Sequence, residues 1–245
     1  MDRIVFKVLF IAFILAFTPL SFSMTVEELK AGVLANSDSI RTLVCDMTTT
    51  ANIMGRAVVA QATIYFKAPD KMRLEMNAGG MYTKQIYNGP YVTMYMPGQQ
   101  PIKQRIDQLG QGKLNLPSEI NFIKEFNNRG AIFETNSFVI KTYLGAGKYM
   151  LEGTPLDAQD DKSPVKFKKI TMKVDDGEGA IDEVNYYDKN NVIVSQTIFT
   201  NTTISGVKFS SQMVTNVFVQ GNVGTTTAKF QNVHINGGVS DNLFE

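Results

Sequence analysis

The sequence holds one histidine, His234, and one cysteine, Cys45, in 245 residues. These scarcities remove whole classes of chemistry. A Ser/His/Asp or Cys/His site would have to use His234, which alternates with Asn232 and Asn236 and so reads as lying on the wet face of a strand. Metal sites built from His and Cys clusters fail by count. Asp157, Asp160 and Asp161 lack the spacing of a calcium loop and read as a solvated acidic loop. Gly145-Ala146-Gly147-Lys148 lacks the earlier glycine and the following Ser/Thr of a phosphate loop, which leaves a hairpin turn. Asp182 and Glu183 are adjacent, so on a strand they face opposite sides and make a poor acid/base pair. A lone cysteine forms no disulfide within the chain, so the core alone must hold the fold, with Cys45 as a small buried hydrophobe. The expectation is therefore no catalytic residue, no metal and no cofactor.

Charge of one sign is also missing. Lys+Arg number 24 and Asp+Glu 23. There is no basic excess to hold a phosphate backbone, which argues against nucleic acid. Only one long apolar run is present, Val8–Phe17, preceded by Arg3 and Lys7, broken by Pro19 and followed by Ser21-Phe22-Ser23. It is shorter than the roughly 20 residues of a membrane span and has the layout of a secretory signal peptide. Cleavage after Ser23 would leave residues 24–245 as a single domain with a net charge near zero.

The remaining chain reads mainly as strands. Thr25 and Glu28 have capping-box spacing before a helix with Val26, Leu29 and Val33 on one stripe. The stretch Ala62–Met76 then runs into Pro69, turns, and leaves as a strand with Met72, Leu74 and Met76 on one face and Arg73 and Glu75 on the other. Val92, Met94 and Met96 repeat that alternation. Seven of the 12 methionines lie between Met47 and Met96. Methionine is flexible and polarisable, so the cluster suits a pliable apolar lining, although a merely methionine-rich core has the same pattern. Pro117 sits where a helix could begin, and Leu116, Ile120, Ile123 and Phe126 form one apolar stripe there, a short amphipathic helix that would act as a lid or plug. From Asn136 onward the chain is a meander of strands and turns. About eleven strands in one chain must curl, split or close. The architecture expected is a single, strongly curved antiparallel sheet forming an unclosed barrel, with helices over its concave apolar face.

Several segments resemble the bacterial periplasmic lipoprotein carrier and sorting proteins, the LolA-like group. Tyr65-Phe66-Lys67-Ala68-Pro69-Asp70-Lys71-Met72-Arg73 looks like that family's strand, proline turn and apolar exit. Ile86-Tyr87-Asn88-Gly89, followed by Val92-Thr93-Met94-Tyr95-Met96-Pro97, looks like its next hairpin. Tyr187-Asp188, Phe199-Thr200-Asn201 and the tail from Val233-His234 to Leu243-Phe244 look like sorting-protein members. The resemblance implies a periplasmic, monomeric carrier that shields lipoprotein acyl chains or a related lipid, taking them from an inner-membrane donor complex to an outer-membrane acceptor. An envelope sensor or scaffold using the same fold is the alternative, and a hydrolase the third reading. The acyl-chain cavity would be lined by Tyr65, Met72, Leu74, Met76, Ile86, Val92, Met94 and Met96, with Ile120, Ile123 and Phe126 as the lid. One departure stands out. Ala68 occupies the position where the family commonly carries an Arg that tethers its lid, and alanine has no donor for such a latch.

Overall fold

A computed structural model describes residues 24–53, 56–106, 131–156, 167–176, 179–219 and 221–245. The expected leader, residues 1–23, and the expected lid, with Ile120, Ile123 and Phe126, lie outside the described residues.

The chain opens with α1 (Val26–Asp38). Its capping box forms as the spacing predicts: Glu28 N donates to Thr25 Oγ1 at 3.2 Å and Thr25 N donates to Glu28 Oε2 at 2.7 Å. The Thr25 backbone N–H, then its hydroxyl, hold the Glu28 carboxyl below its ordinary pKa. A meander follows: β1 (Thr42–Ile53), β2 (Arg56–Lys67), β3 (Lys71–Ala78), β4 (Met81–Asn88), β5 (Tyr91–Tyr95) and β6 (Ile102–Arg105). After the short α2 (Ala131–Glu134) a second meander runs through β7 (Asn136–Gly145), β8 (Lys148–Pro155), β9 (Lys169–Asp175), β10 (Ala180–Tyr187), β11 (Ile193–Ile204) and β12 (Val207–Val219). It ends in β13 (Asn222–Ile235), and a 3-10 turn at Asp241–Phe244 follows.

All thirteen strands form one antiparallel sheet in the order β6-β5-β4-β3-β2-β1-β13-β12-β11-β10-β9-β8-β7. Its two outer strands are β6 and β7, so the barrel is not closed. The count exceeds the eleven or so expected, and the short run Ile102–Arg105 pairs with β5 at one edge. Strand β13 joins the two meanders, pairing with β1 on one side and β12 on the other.

Two apolar cores lie on what is here termed the inner face. The first gathers Leu43, Cys45 and Met47 of β1, Ile64 and Phe66 of β2, Met72, Leu74 and Met76 of β3, Val92 and Met94 of β5 and Phe230 of β13. The second packs Leu29 and Val33 of α1 and Phe133 of α2 onto Leu151, Ile170, Met172, Val174 and Val184. Helix α1 approaches the β9–β10 connection closely, because a Cβ on Gly179 would collide with the Gly32 carbonyl. Gly179 also has φ +57°, where an L side chain is strained. Gly179→Ala is therefore expected to destabilise the protein by more than about 1 kcal/mol. Gly32→Ala, which meets only Gly179 Cα at an ordinary 3.7 Å, is expected to be neutral or to stabilise by up to about 1 kcal/mol through helix propensity. Melting temperatures that move in the same direction for both variants would contradict this packing.

The outer face is polar and hydrogen-bonded across strands. Lys173 pairs with Glu183, Gln196 Nε2 donates to Glu183 Oε1 at 3.2 Å, and Thr225 Oγ1 donates to Asn216 Oδ1 at 2.9 Å. At the other end of this face the C-terminal segment folds back over β3 and β4. Arg73 Nη1 donates to the Leu243 carbonyl at 3.3 Å, Asn88 Nδ2 donates to the Phe244 carbonyl at 3.2 Å, and the Phe244 ring is buried. Asp241 bridges Lys67 at 2.8 Å and Lys71 at 2.7 Å. These hydrogen bonds, Lys67 first, lower the Asp241 pKa to about 2. A depressed carboxylate stabilises the fold above its unfolded pKa, near 4, and that contribution is lost as pH falls toward about 2. Wild type is expected to melt above Asp241→Asn at pH 7, with the gap closing between about pH 4 and pH 2. A gap that stays constant to pH 2 would show that the bridge contributes nothing to the fold.

Candidate functional site

Strand pairing decides where each expected cavity residue points. In the β2–β3 hairpin Phe66 faces Met72, Ile64 faces Leu74 and Ala62 faces Met76. Met72 in turn faces Tyr87, and Tyr87 faces Val92. The structure therefore brings Met72, Leu74, Met76, Val92 and Met94 together on the inner face. All five are buried, packed against Leu43, Ile64 and Phe66. Met96 is half-buried just beyond the end of β5.

Tyr65 and Ile86 are corrections. Tyr65 pairs with Arg73, and Arg73 pairs with Ile86, so both lie on the outer face. The Arg73 guanidinium sits 5.8 Å from the Tyr65 ring centroid. Ile86 lies beside Phe244 of the folded-back C-terminal segment. Its position is apolar because that segment lies over it.

Among the described residues the inner face is free of charge except at one tip. Across the paired strands from Ile102 on β6 to Ile140 on β7, every inward position among the described residues is apolar or neutral; only Arg56, at the β1–β2 tip, breaks the rule. Neutral polar groups interrupt the apolar positions, among them Gln85, Thr49, Thr197, Thr215 and Thr226. Tyr87 Oη donates to Gln85 Oε1 at 2.9 Å within the first core. Between the two cores the face is more open. One row crosses the sheet as Met172, Val184, Thr197, Thr215, Thr226, Ala51 and Val58. The next holds Phe199, Met213, Ala228, Thr49 and Ala60. Thr197, Phe199, Met213, Thr215 and Thr226 are only half-buried, so β11–β13 floor a trough between two packed walls. The Thr197 and Thr215 hydroxyls lie 3.1 Å apart. At a strand spacing of roughly 4.8 Å, the three threonines form a hydroxyl row about 10 Å long on an apolar floor.

The lone histidine and the lone cysteine both lie outside the trough. His234 is exposed on β13. Cys45 is buried in the first core, and burial, with the neighbouring Asp46 carboxylate adding to it, pushes its thiol up to about 12. Such a thiol stays protonated and is a poor nucleophile. Among the described residues no group of three or more His, Cys, Asp or Glu side chains could hold a metal ion. A hollow of about 360 Å³ on the outer face, lined by Tyr91, Thr93, Tyr95, Lys103 and Phe244 among others, is polar by comparison.

The described residues form an unclosed antiparallel half-barrel with a helix packed against one half of its inner face. The particular fold is the LolA-like one. The chain is similar to a DUF1329 family protein from Desulfovibrio piger, with 16% identity over 91% of this chain and 98% of that one and a TM-score of 0.61. It is also similar to a LolA superfamily protein from Nitrosomonas europaea, with 12% identity over 91% and 98% and a TM-score of 0.56. A third likeness is to a Vibrio parahaemolyticus domain assigned to outer membrane lipoprotein sorting, with 13% identity over 89% and 95% and a TM-score of 0.58. The sequence matches no family model and no curated protein. At these identities the likeness establishes the fold.

Proposed function

We propose that the protein is a non-catalytic carrier that shields the acyl chains of a lipoprotein or a related lipid in the inner-face trough. The observation that carries this reading is the uncharged inner face, half-open over β11–β13 and closed on either side by packed apolar cores. An alkyl chain laid there leaves no carboxylate or ammonium to be desolvated, and each methylene buried contributes about 0.8 kcal/mol. The threonine row supplies donors for the neutral carbonyls of an ester or amide linkage. In this reading the methionine-bearing face of Met72, Leu74, Met76, Val92 and Met94 is the wall of the trough, and Thr197, Phe199, Met213, Thr215 and Thr226 are its floor. In this reading the protein resides in the periplasm after loss of residues 1–23 and works between an inner-membrane donor and an outer-membrane acceptor.

The test is native mass spectrometry of protein taken from the envelope fraction, followed by transfer of a fluorescent diacyl lipopeptide to acceptor vesicles. Expected are adducts of lipid mass on a chain beginning at Met24, and transfer that depends on the protein. A delipidated protein that neither takes up the lipopeptide nor speeds its transfer would overturn the carrier reading.

A further inference from the structure

Strand alternation fails at one end of the sheet. In most of the sheet one face is apolar and the other polar. Near the ends of the β1–β2 and β12–β13 hairpins the described residues place exposed apolar side chains on both faces, beside the polar Asn52, Arg56 and Asn222. Val58 and Val59 are adjacent on β2 and point to opposite faces; they are 56% and 50% exposed. Val217, Phe218 and Val219 follow one another at the end of β12, and Val223 faces Phe218 from β13. The two hairpins lie side by side, because Asn52 of β1 pairs with Thr225 of β13. Beyond that last shared pair β1 continues by one residue to Ile53, whereas β13 runs three residues to Asn222, so the β12–β13 tip projects past its neighbour by about 7 Å. The same end opens the trough, since Val217 and Val58 lie at inward positions there.

A protein partner docking on a sheet covers one of its faces. A tip that is apolar on both faces is matched by a medium that surrounds it. No acidic side chain lies in either tip from Asn216 to Thr225 or from Ala51 to Val59, whereas Arg56 is exposed there. We propose that these two hairpin tips insert into the interfacial layer of a lipid bilayer and hold the trough's open end against it. This surface is independent of what the trough holds.

The sequence has no tryptophan, so Phe218→Trp places a single reporter at the tip. Full-length protein carrying it is mixed with vesicles of phosphatidylethanolamine and phosphatidylglycerol. A blue-shifted emission, quenched when the lipids are brominated, is expected, while Val139→Trp on the distant edge strand β7 stays unshifted. The double variant Val219→Asp/Val223→Asp alters only exposed side chains and is expected to weaken vesicle binding about tenfold or more. It should still bind a fluorescent acyl ligand in the absence of vesicles, which separates failure of this surface from failure of the carrier reading. Emission unchanged by vesicles would overturn the proposal. So would a blue shift that grows with protein concentration without lipid, which would assign the tips to a second copy of the chain.

Discussion

Thr215→Glu is expected to lower affinity for acyl ligands about tenfold or more, and Thr227→Glu to leave it within about twofold. Thr215 points into the trough between Thr197 and Thr226. Thr227 is one residue further along β13, pairs with Val214 and Thr50, and points to the outer face. Both are half-buried threonines in the middle of the sheet, so the comparison isolates direction from exposure. A carboxylate on the trough floor must be desolvated whenever a chain covers it, and a tenfold loss needs only about 1.4 kcal/mol of that cost. Titration with a fluorescent fatty acyl ligand, on variants shown to be folded by circular dichroism, makes the measurement. Equal losses, or a larger loss for Thr227→Glu, would mean the ligand surface has been placed on the wrong side of the sheet.

Leu74→Ala is expected to cost about 2–5 kcal/mol of folding stability. Leu74 is 2% exposed, faces Ile64 across the hairpin and sits at the centre of the first core. Its neighbours on β3 are methionines, and sequence alone leaves open whether that face is lining or core. Urea denaturation decides the matter. A fall in midpoint with unchanged slope and little change in acyl-ligand affinity identifies a packed wall. An unchanged midpoint together with altered ligand affinity would make the face a lining and move the binding surface there.

What was legible in the sequence was local. The Thr25/Glu28 spacing produces the α1 cap, and the alternation of Met72, Leu74 and Met76 produces a buried face. Tyr65 and Ile86 were misplaced because their direction depends on pairing partners. With Lys67 facing Lys71 across the proline turn, Phe66 and Ile64 turn inward and Tyr65 outward. Ile86 is apolar on a polar face because Phe244, more than 150 positions away, folds back beside it. The trough floor was hidden for a different reason. Threonines on a strand read as solvated on either face, and only the pairing of β11, β12 and β13 aligns Thr197, Thr215 and Thr226 into one row. The apolar tips look in sequence like ordinary strand ends, and their meaning depends on two hairpins 160 positions apart lying side by side.

The placement of β13 between β1 and β12 has a consequence for how the chain reaches this state. Each meander pairs strand to next strand and can form as soon as it is synthesised. The seam between them cannot, because β1 and β13 are separated by most of the chain and the intervening loop must close before their pairing is rewarded. Until residues 222–235 arrive, two curved half-sheets carry apolar faces and unpaired edges at β1 and β12, the condition most open to association between chains. The rate-limiting step of folding is thus expected to be insertion of the last strand, and a chaperone would have the most to protect in the interval before it.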